Sequence, residues 1–131
     1  MQANLKKANG KLRVLVVDDH RDSADALACV LHNIGHQVRT AYDAPSALRA
    51  FEEHAPQVVF QDLLFPTRDG GLQSAREIRK CNPSTSVFLV AMSAILDATQ
   101  RDSERDAFDY VILKPVGLEE LHDTLDKAGA G

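Results

Sequence analysis

Cysteine is scarce in this chain: Cys29 and Cys81 are the only two among 131 residues. They form no Cys-x-x-Cys pair and no metal-ligand spacing, which excludes a disulfide scaffold and a thiolate metal site. Two reduced, partly buried thiols in a cytoplasmic protein are expected instead. An excess of positive charge is also missing. Fifteen Lys and Arg stand against nineteen Asp and Glu, a net charge of -4. With no basic stripe to track a phosphate backbone, nucleic acid is not an expected partner. No apolar stretch approaches the ~20 residues of a membrane span, so no membrane contact is expected. Met1-Gln2-Ala3-Asn4-Leu5-Lys6-Lys7 lacks the apolar region of a secretory leader. Gly70-Gly71 is too short to cradle phosphate and reads as a turn. Apolar content is what the chain does have: 44% of its residues, enough for one domain with its own core.

Apolar runs alternate with helical patterns from end to end. Residues 12–17, 58–61 and 87–92 read as strands buried on both faces. Residues 37–41 alternate polar and apolar, as an edge strand does, and 110–113 make a fifth. Between them, Ala24, Leu27, Ala28 and Leu31 follow the spacing of one helical face, with Gly35 as the stop. Ala44, Ala47, Leu48 and Phe51 repeat it after an N-cap at Asp43, with Pro45 in the first turn and Pro56 beyond the end. Leu72, Ala75 and Ile78 give a weaker stripe, and Leu118, Leu121 and Leu125 the last, with His122 at its edge. A further helix is expected between Ser93 and Phe108. Thr99 to Asp106 carries no apolar residue, so that helix has little to bury. Five strands alternating with five helices predict an α/β fold of the doubly wound (βα)5 kind: a five-stranded parallel sheet with right-handed crossovers and helices on both faces.

Sheets of this kind place ligands at the carboxyl ends of their strands, near the point where strand order reverses. Asp18, Asp19, Asp62, Ser93 and Lys114 all fall at strand carboxyl ends. Three carboxylates in one place need a cation, or their pKa values rise. Magnesium suits them, because it takes one or two carboxylates and accepts phosphate oxygens as further ligands. One carboxylate can then attack phosphorus and form an aspartyl-phosphate. A lysine ammonium neutralises the phosphoryl oxygens, and a hydroxyl such as that of Ser93 donates to one of them. Taken singly, Asp18 and Asp19 could cap the next helix and Lys114 could be a surface charge, but that leaves their shared location unexplained. His20 reads as a solvated turn residue, with a ligand or proton-donor role as the alternative.

Four blocks carry a family resemblance: Val14-Leu15-Val16-Val17-Asp18-Asp19, Gln57 through Pro66, Ala91-Met92-Ser93-Ala94 and Leu113-Lys114-Pro115-Val116. In this order and at this spacing, the chain resembles the receiver domain of two-component response regulators over residues 12 to about 126. The resemblance implies a flavodoxin-like sheet of strand order 2-1-3-4-5. It implies Asp62 as phosphoacceptor, Ser93 as the switch hydroxyl, and Lys114, before a cis proline, as the phosphate-binding ammonium. It also implies Mg2+ held by Asp19, Asp62 and the Leu64 carbonyl, with Asp18 acting through water. The phosphoryl donor would be a histidine kinase or phosphotransfer protein. Asp18 through Asp25 and Ala107-Phe108-Asp109 look most like receivers attached to hybrid sensor kinases. Residues 1–11 and 129–131 read as tails around a receiver domain at 12–128. With no output domain after residue 128, the output is expected through an unknown protein target, a second copy in a weak homodimer, or a larger protein.

Several positions depart from the family pattern. The aromatic residue usual three places before the lysine is Val111 here, and Tyr110 sits one place earlier. Strand alternation therefore predicts Tyr110 on the opposite face. Gly71 reads as an insertion after Asp-Gly, and the stretch from Ser93 to Phe108 is one residue short. In the family, the side chains two residues beyond the phosphoacceptor and two beyond the switch hydroxyl border the hydrolytic water. Leu64 and Ile95 occupy those places, so slow loss of the phosphoryl group is expected. Two other functions fit parts of the chain. A small-molecule phosphotransferase or phosphatase would need a cap domain or substrate pocket that 131 residues do not accommodate. A scaffold that has lost phosphorylation would not need the complete set of Asp18, Asp19, Asp62, Ser93 and Lys114. The preferred reading is a signalling module that phosphorylates its own aspartate and turns over no free substrate.

Overall fold

A computed structural model describes residues 10–65, 67–81, 86–94 and 107–129, the side chains of Arg68 and Asp69 excepted. Its elements in chain order are β1 (Arg13–Val17), α1 (Arg21–Ile34), β2 (Gln37–Ala41), α2 (Ala44–His54) and β3 (Val58–Asp62). They continue with α3 (Arg68–Cys81), β4 (Phe88–Ser93), β5 (Tyr110–Leu113) and α4 (Leu118–Gly129). All strand pairs are parallel and the order is β2-β1-β3-β4-β5, as expected, with β2 at an edge. Four helices lie among the described residues; the one expected between Ser93 and Phe108 falls on residues 95–106, outside them, as does Ile95. No helix among the described residues is long and apolar enough to cross a membrane.

The apolar runs become the central strands because both faces of the sheet are covered. Side chains alternate between two cores. Leu15, Val17, Val59, Leu89 and Ala91 pack with Phe51 of α2 and Ile78 of α3. Val14, Val16, Phe60, Val90, Met92 and Ile112 pack with Leu31 and Ile34 of α1 and Leu121 and Leu125 of α4. Tyr110 joins the second core, with the Lys127 ammonium 5.5 Å from its ring centroid. Val111, on the other face, is partly exposed. Alternation thus decides where the displaced aromatic goes.

Local signals hold at the helix ends. Asp43 accepts a hydrogen bond from the Ser46 N–H at 2.8 Å in a capping box, with Pro45 in the first turn of α2, an arrangement worth about 1 kcal/mol. Gly35 ends α1 at φ 122°, a conformation that glycine reaches without Cβ strain.

Three expectations need correction. Gly70 and Gly71 do not make a separate turn; they lie in the first turn of α3. A Cβ on Gly71 would come within 2.7 Å of the Asp62 carbonyl oxygen and closer still to that of Leu63. The paired glycines let the helix start against the backbone of the β3–α3 loop. Cys29 and Cys81 are exposed rather than partly buried, the first on the outer side of α1 and the second at the end of α3. Ala44, assigned to the apolar stripe of α2, is exposed at the helix's first position, while Ala47, Ala50 and Phe51 carry the burial.

Candidate functional site

β1 and β3 are neighbours in the sheet, with Val17 paired to Gln61. That register brings the residues following β1 beside the last residue of β3. Asp18 is 1% exposed and Asp62 4%, so two carboxylates meet where little water reaches them. The Lys114 ammonium, arriving from the end of β5, lies 2.7 Å from Asp18 Oδ2 and 3.6 Å from Asp62 Oδ1. Asp18 Oδ1 accepts the His20 backbone N–H at 2.9 Å. Both Asp18 oxygens are thus engaged, whereas Asp19 Oδ1 is buried with no hydrogen-bond partner.

The electrostatics follow from this crowding. Burial, then the charge of Asp18, push the Asp62 carboxyl up to about 6. The Lys114 charge and a hydrogen bond from the Leu64 backbone N–H pull it the other way. One ligand atom each from Asp18, Asp19, His20 and Asp62 lie within 4.8 Å of one another. Closely placed oxygen donors, one of them without a hydrogen-bond donor and another whose charge is disfavoured first by burial and then by Asp18, fit a hard divalent cation.

β4 and β5 bring the remaining groups to the same rim. Ser93 is the last residue of β4 and pairs with Leu113, and its carbonyl accepts the Lys114 N–H at 2.7 Å. Arg79 of α3 fixes the start of β5 by donating to the Ala107 carbonyl at 3.0 Å and pairing with Asp109 at 2.9 Å. The structure therefore brings Asp18, Asp19, Asp62 and Lys114 together and sets Ser93 at the adjacent strand end. The Leu64 side chain is exposed.

One contributor gave no sequence signal beyond a polar residue inside an apolar run. Gln61, fully buried beside Asp62, accepts a hydrogen bond from Ser74 Oγ of α3 at 3.0 Å. Its own amide donates to the Asp62 carbonyl at 3.0 Å. This link joins the backbone of Asp62 to α3. Next to the carboxylates, a cleft of about 640 Å³ opens between α1 and α4, lined by Leu27, Val30, Met92, Val116 and Leu118 along with Asp18 and Lys114.

The response regulator receiver domain family matches residues 14–126. The chain is 33% identical over 118 residues to the sensor histidine kinase RcsC of Salmonella typhi, covering 90% of this chain and 12% of that protein. It is also 33% identical over 136 residues to the virulence sensor protein BvgS of Bordetella bronchiseptica, covering 98% of this chain and 11% of the relative. Among solved structures, the receiver domain of NtrX from Brucella abortus superposes with a TM-score of 0.77 at 34% identity, covering 88% of this chain and 96% of that one. A CheY-like receiver domain from Methylobacillus flagellatus, 23% identical, shares the fold at a TM-score of 0.81, covering 91% of this chain and 99% of the other.

Proposed function

Because the chain belongs to the response regulator receiver domain family, a family of signalling modules, we propose that Asp62 accepts a phosphoryl group from a phosphohistidine. The donor would be a partner kinase or phosphotransfer protein. The carrying observation is the place of Asp62: a buried carboxylate at the centre of the rim, 3.6 Å from the Lys114 ammonium. An Asp62 oxygen attacks phosphorus, and the P–N bond to the donor imidazole breaks. The bonding pair leaves with that nitrogen, which takes a proton from solvent if it needs one. Lys114 neutralises the incoming phosphoryl oxygens, and the Ser93 hydroxyl donates to one of them. The Leu64 N–H holds the carboxylate in place. Mg2+ would be held by Asp19, Asp62 and the Leu64 carbonyl, with Asp18 acting through water, and would neutralise charge on the carboxylates and phosphoryl oxygens. The engaged Asp18 oxygens, and Asp19 Oδ1 without a hydrogen-bond donor, support that division of roles.

The receiver unit is residues 12–128, acting in the cytoplasm, where exposed Cys29 and Cys81 remain thiols. It carries out one transfer to its own aspartate and turns over no free substrate. Phosphorylation adds about 1.5–2 negative charges at one point, and the changed surface is read by a protein target. The donor's docking surface is the cleft between α1 and α4, since Asp18 and Lys114 line both the cleft and the rim. The sensor-protein relatives support a place in a phosphorelay; the chain spans 11–12% of their length.

Acetyl phosphate with Mg2+ tests the assignment, with the label located by mass spectrometry after borohydride trapping. Labelling should map to Asp62, vanish in Asp62→Asn and weaken in Asp19→Asn through poorer metal binding. Undiminished labelling of Asp62→Asn would overturn it.

A further inference from the structure

An imidazole stands among the carboxylates, and phosphoryl transfer as described gives it no task. His20 Nδ1 lies 3.3 Å from Asp19 Oδ1 and 3.5 Å from Asp18 Oδ1. Its backbone N–H is tied to Asp18 Oδ1 at 2.9 Å, which fixes the point from which the side chain departs. The Asp19 oxygen it approaches is the buried one without a hydrogen-bond partner. Its ring nitrogen belongs to the group of four ligand atoms within 4.8 Å of one another.

We propose that His20 is a fourth metal ligand, through Nδ1, and that it gives the cation site of this receiver a preference for transition divalent cations over Mg2+. The inference rests on the reading of Asp19 and Asp62 as cation ligands. Hard Mg2+ takes oxygen donors and gains little from an imidazole. Cobalt, nickel and zinc ions bind imidazole nitrogen well, so one nitrogen added to an all-oxygen set shifts affinity toward them. The His20 side chain is 72% exposed, free to move the short distance that coordination needs. A competing account makes the contact an ion pair between an imidazolium and two carboxylates. The two differ when a cation arrives: an ion-paired imidazolium is displaced, whereas a ligand stays.

Calorimetric titration of the whole chain with Co2+ and with Mg2+, beside His20→Ala and Asp19→Asn, separates them. His20→Ala should weaken Co2+ by about 10-fold or more and leave Mg2+ unchanged or slightly tighter. Pulsed electron paramagnetic resonance of bound Cu2+, an ion that takes imidazole readily, should show imidazole nitrogen modulation in the native protein that is lost in His20→Ala. A spectrum without nitrogen, or Co2+ and Mg2+ affinities that move together, overturns the role of His20 while leaving the cation site intact. Failure of the native protein to bind either ion, or binding indifferent to Asp19→Asn, overturns the cation site and this inference together.

Discussion

Lys114 meets Asp18 at 2.7 Å across a sequence separation of 96 residues, and in doing so holds a cation's place beside the carboxylates. Lys114→Met should therefore act in two directions. The buried Asp18 charge loses its neutralising partner, which should lower stability by about 2–4 kcal/mol. Mg2+ affinity should rise, since the competing ammonium is gone, while phosphorylation by acetyl phosphate drops by at least about tenfold. Thermal unfolding, Mg2+ titration and labelling kinetics on one variant check all three.

The raised pKa of Asp62 fixes the sign of a pH effect. In the folded protein without metal the group titrates near 6, against an ordinary 3.8. Between those values the native state binds more protons than the unfolded one, so stability falls as pH rises through this range. In chelator, Asp62→Asn should exceed the native protein in stability at neutral pH by up to about 3 kcal/mol. The gap should close near pH 4. Denaturant titrations at a series of pH values measure it, and a gap independent of pH would refute the assignment. Mg2+ competes with the same proton, so its affinity should fall as pH drops through 6.

Gln61 and Ser74 form a buried pair whose members are partnered by each other. Ser74→Ala leaves Gln61 Oε1 without its donor and should cost about 1–3 kcal/mol. Gln61→Leu also removes the bond to the Asp62 carbonyl. The double variant should lose less than the sum of the two, because the shared bond is counted in each single loss. Strict additivity in a double-mutant cycle would show that the contact carries no coupling energy.

Leu64 offers hydrolytic water no side-chain hydrogen-bonding group, and its side chain is exposed close to Asp62, the proposed phosphoacceptor. Leu64→Asn, alone and with Ile95→Glu, should shorten the life of the aspartyl-phosphate several-fold. Decay of radiolabel after donor removal gives the rates; equal lifetimes would show that control lies elsewhere.

Much of this architecture could be read from the chain. β2 and β5 match their expected bounds to the residue, because each is short and closed by a change of pattern on both sides. Asp18, Asp19, Asp62 and Lys114 could be placed together because a parallel sheet delivers all its strand ends to one side. Gly70-Gly71 was misleading for a physical reason. Two glycines weaken a helix by propensity, yet here Gly70 permits a close approach to the Phe65 carbonyl and Gly71 to those of Asp62 and Leu63, which any Cβ would block. Bonds such as Gln61 to Ser74 or Arg79 to Ala107 obey no period, since they depend on where separate elements come to rest. Cys29, by contrast, lies off the stripe of Ala24, Leu27, Ala28 and Leu31, so its exposure follows from the helical period itself.

The order of elements divides the rim's chemistry between two stretches of chain. Every carboxylate of the cluster precedes α3, while Ser93 and Lys114 follow it. A chain severed between α3 and β4 would yield one fragment with the donors for a cation and another with the donors for a phosphate. Neither fragment would hold both parts, and the five-residue register of β3 with β4 would be their principal means of reunion. On the proposed role of Asp62, transfer requires both stretches to meet on the sheet: a nascent or cleaved chain ending at α3 should stay unlabelled by acetyl phosphate until the second stretch has docked.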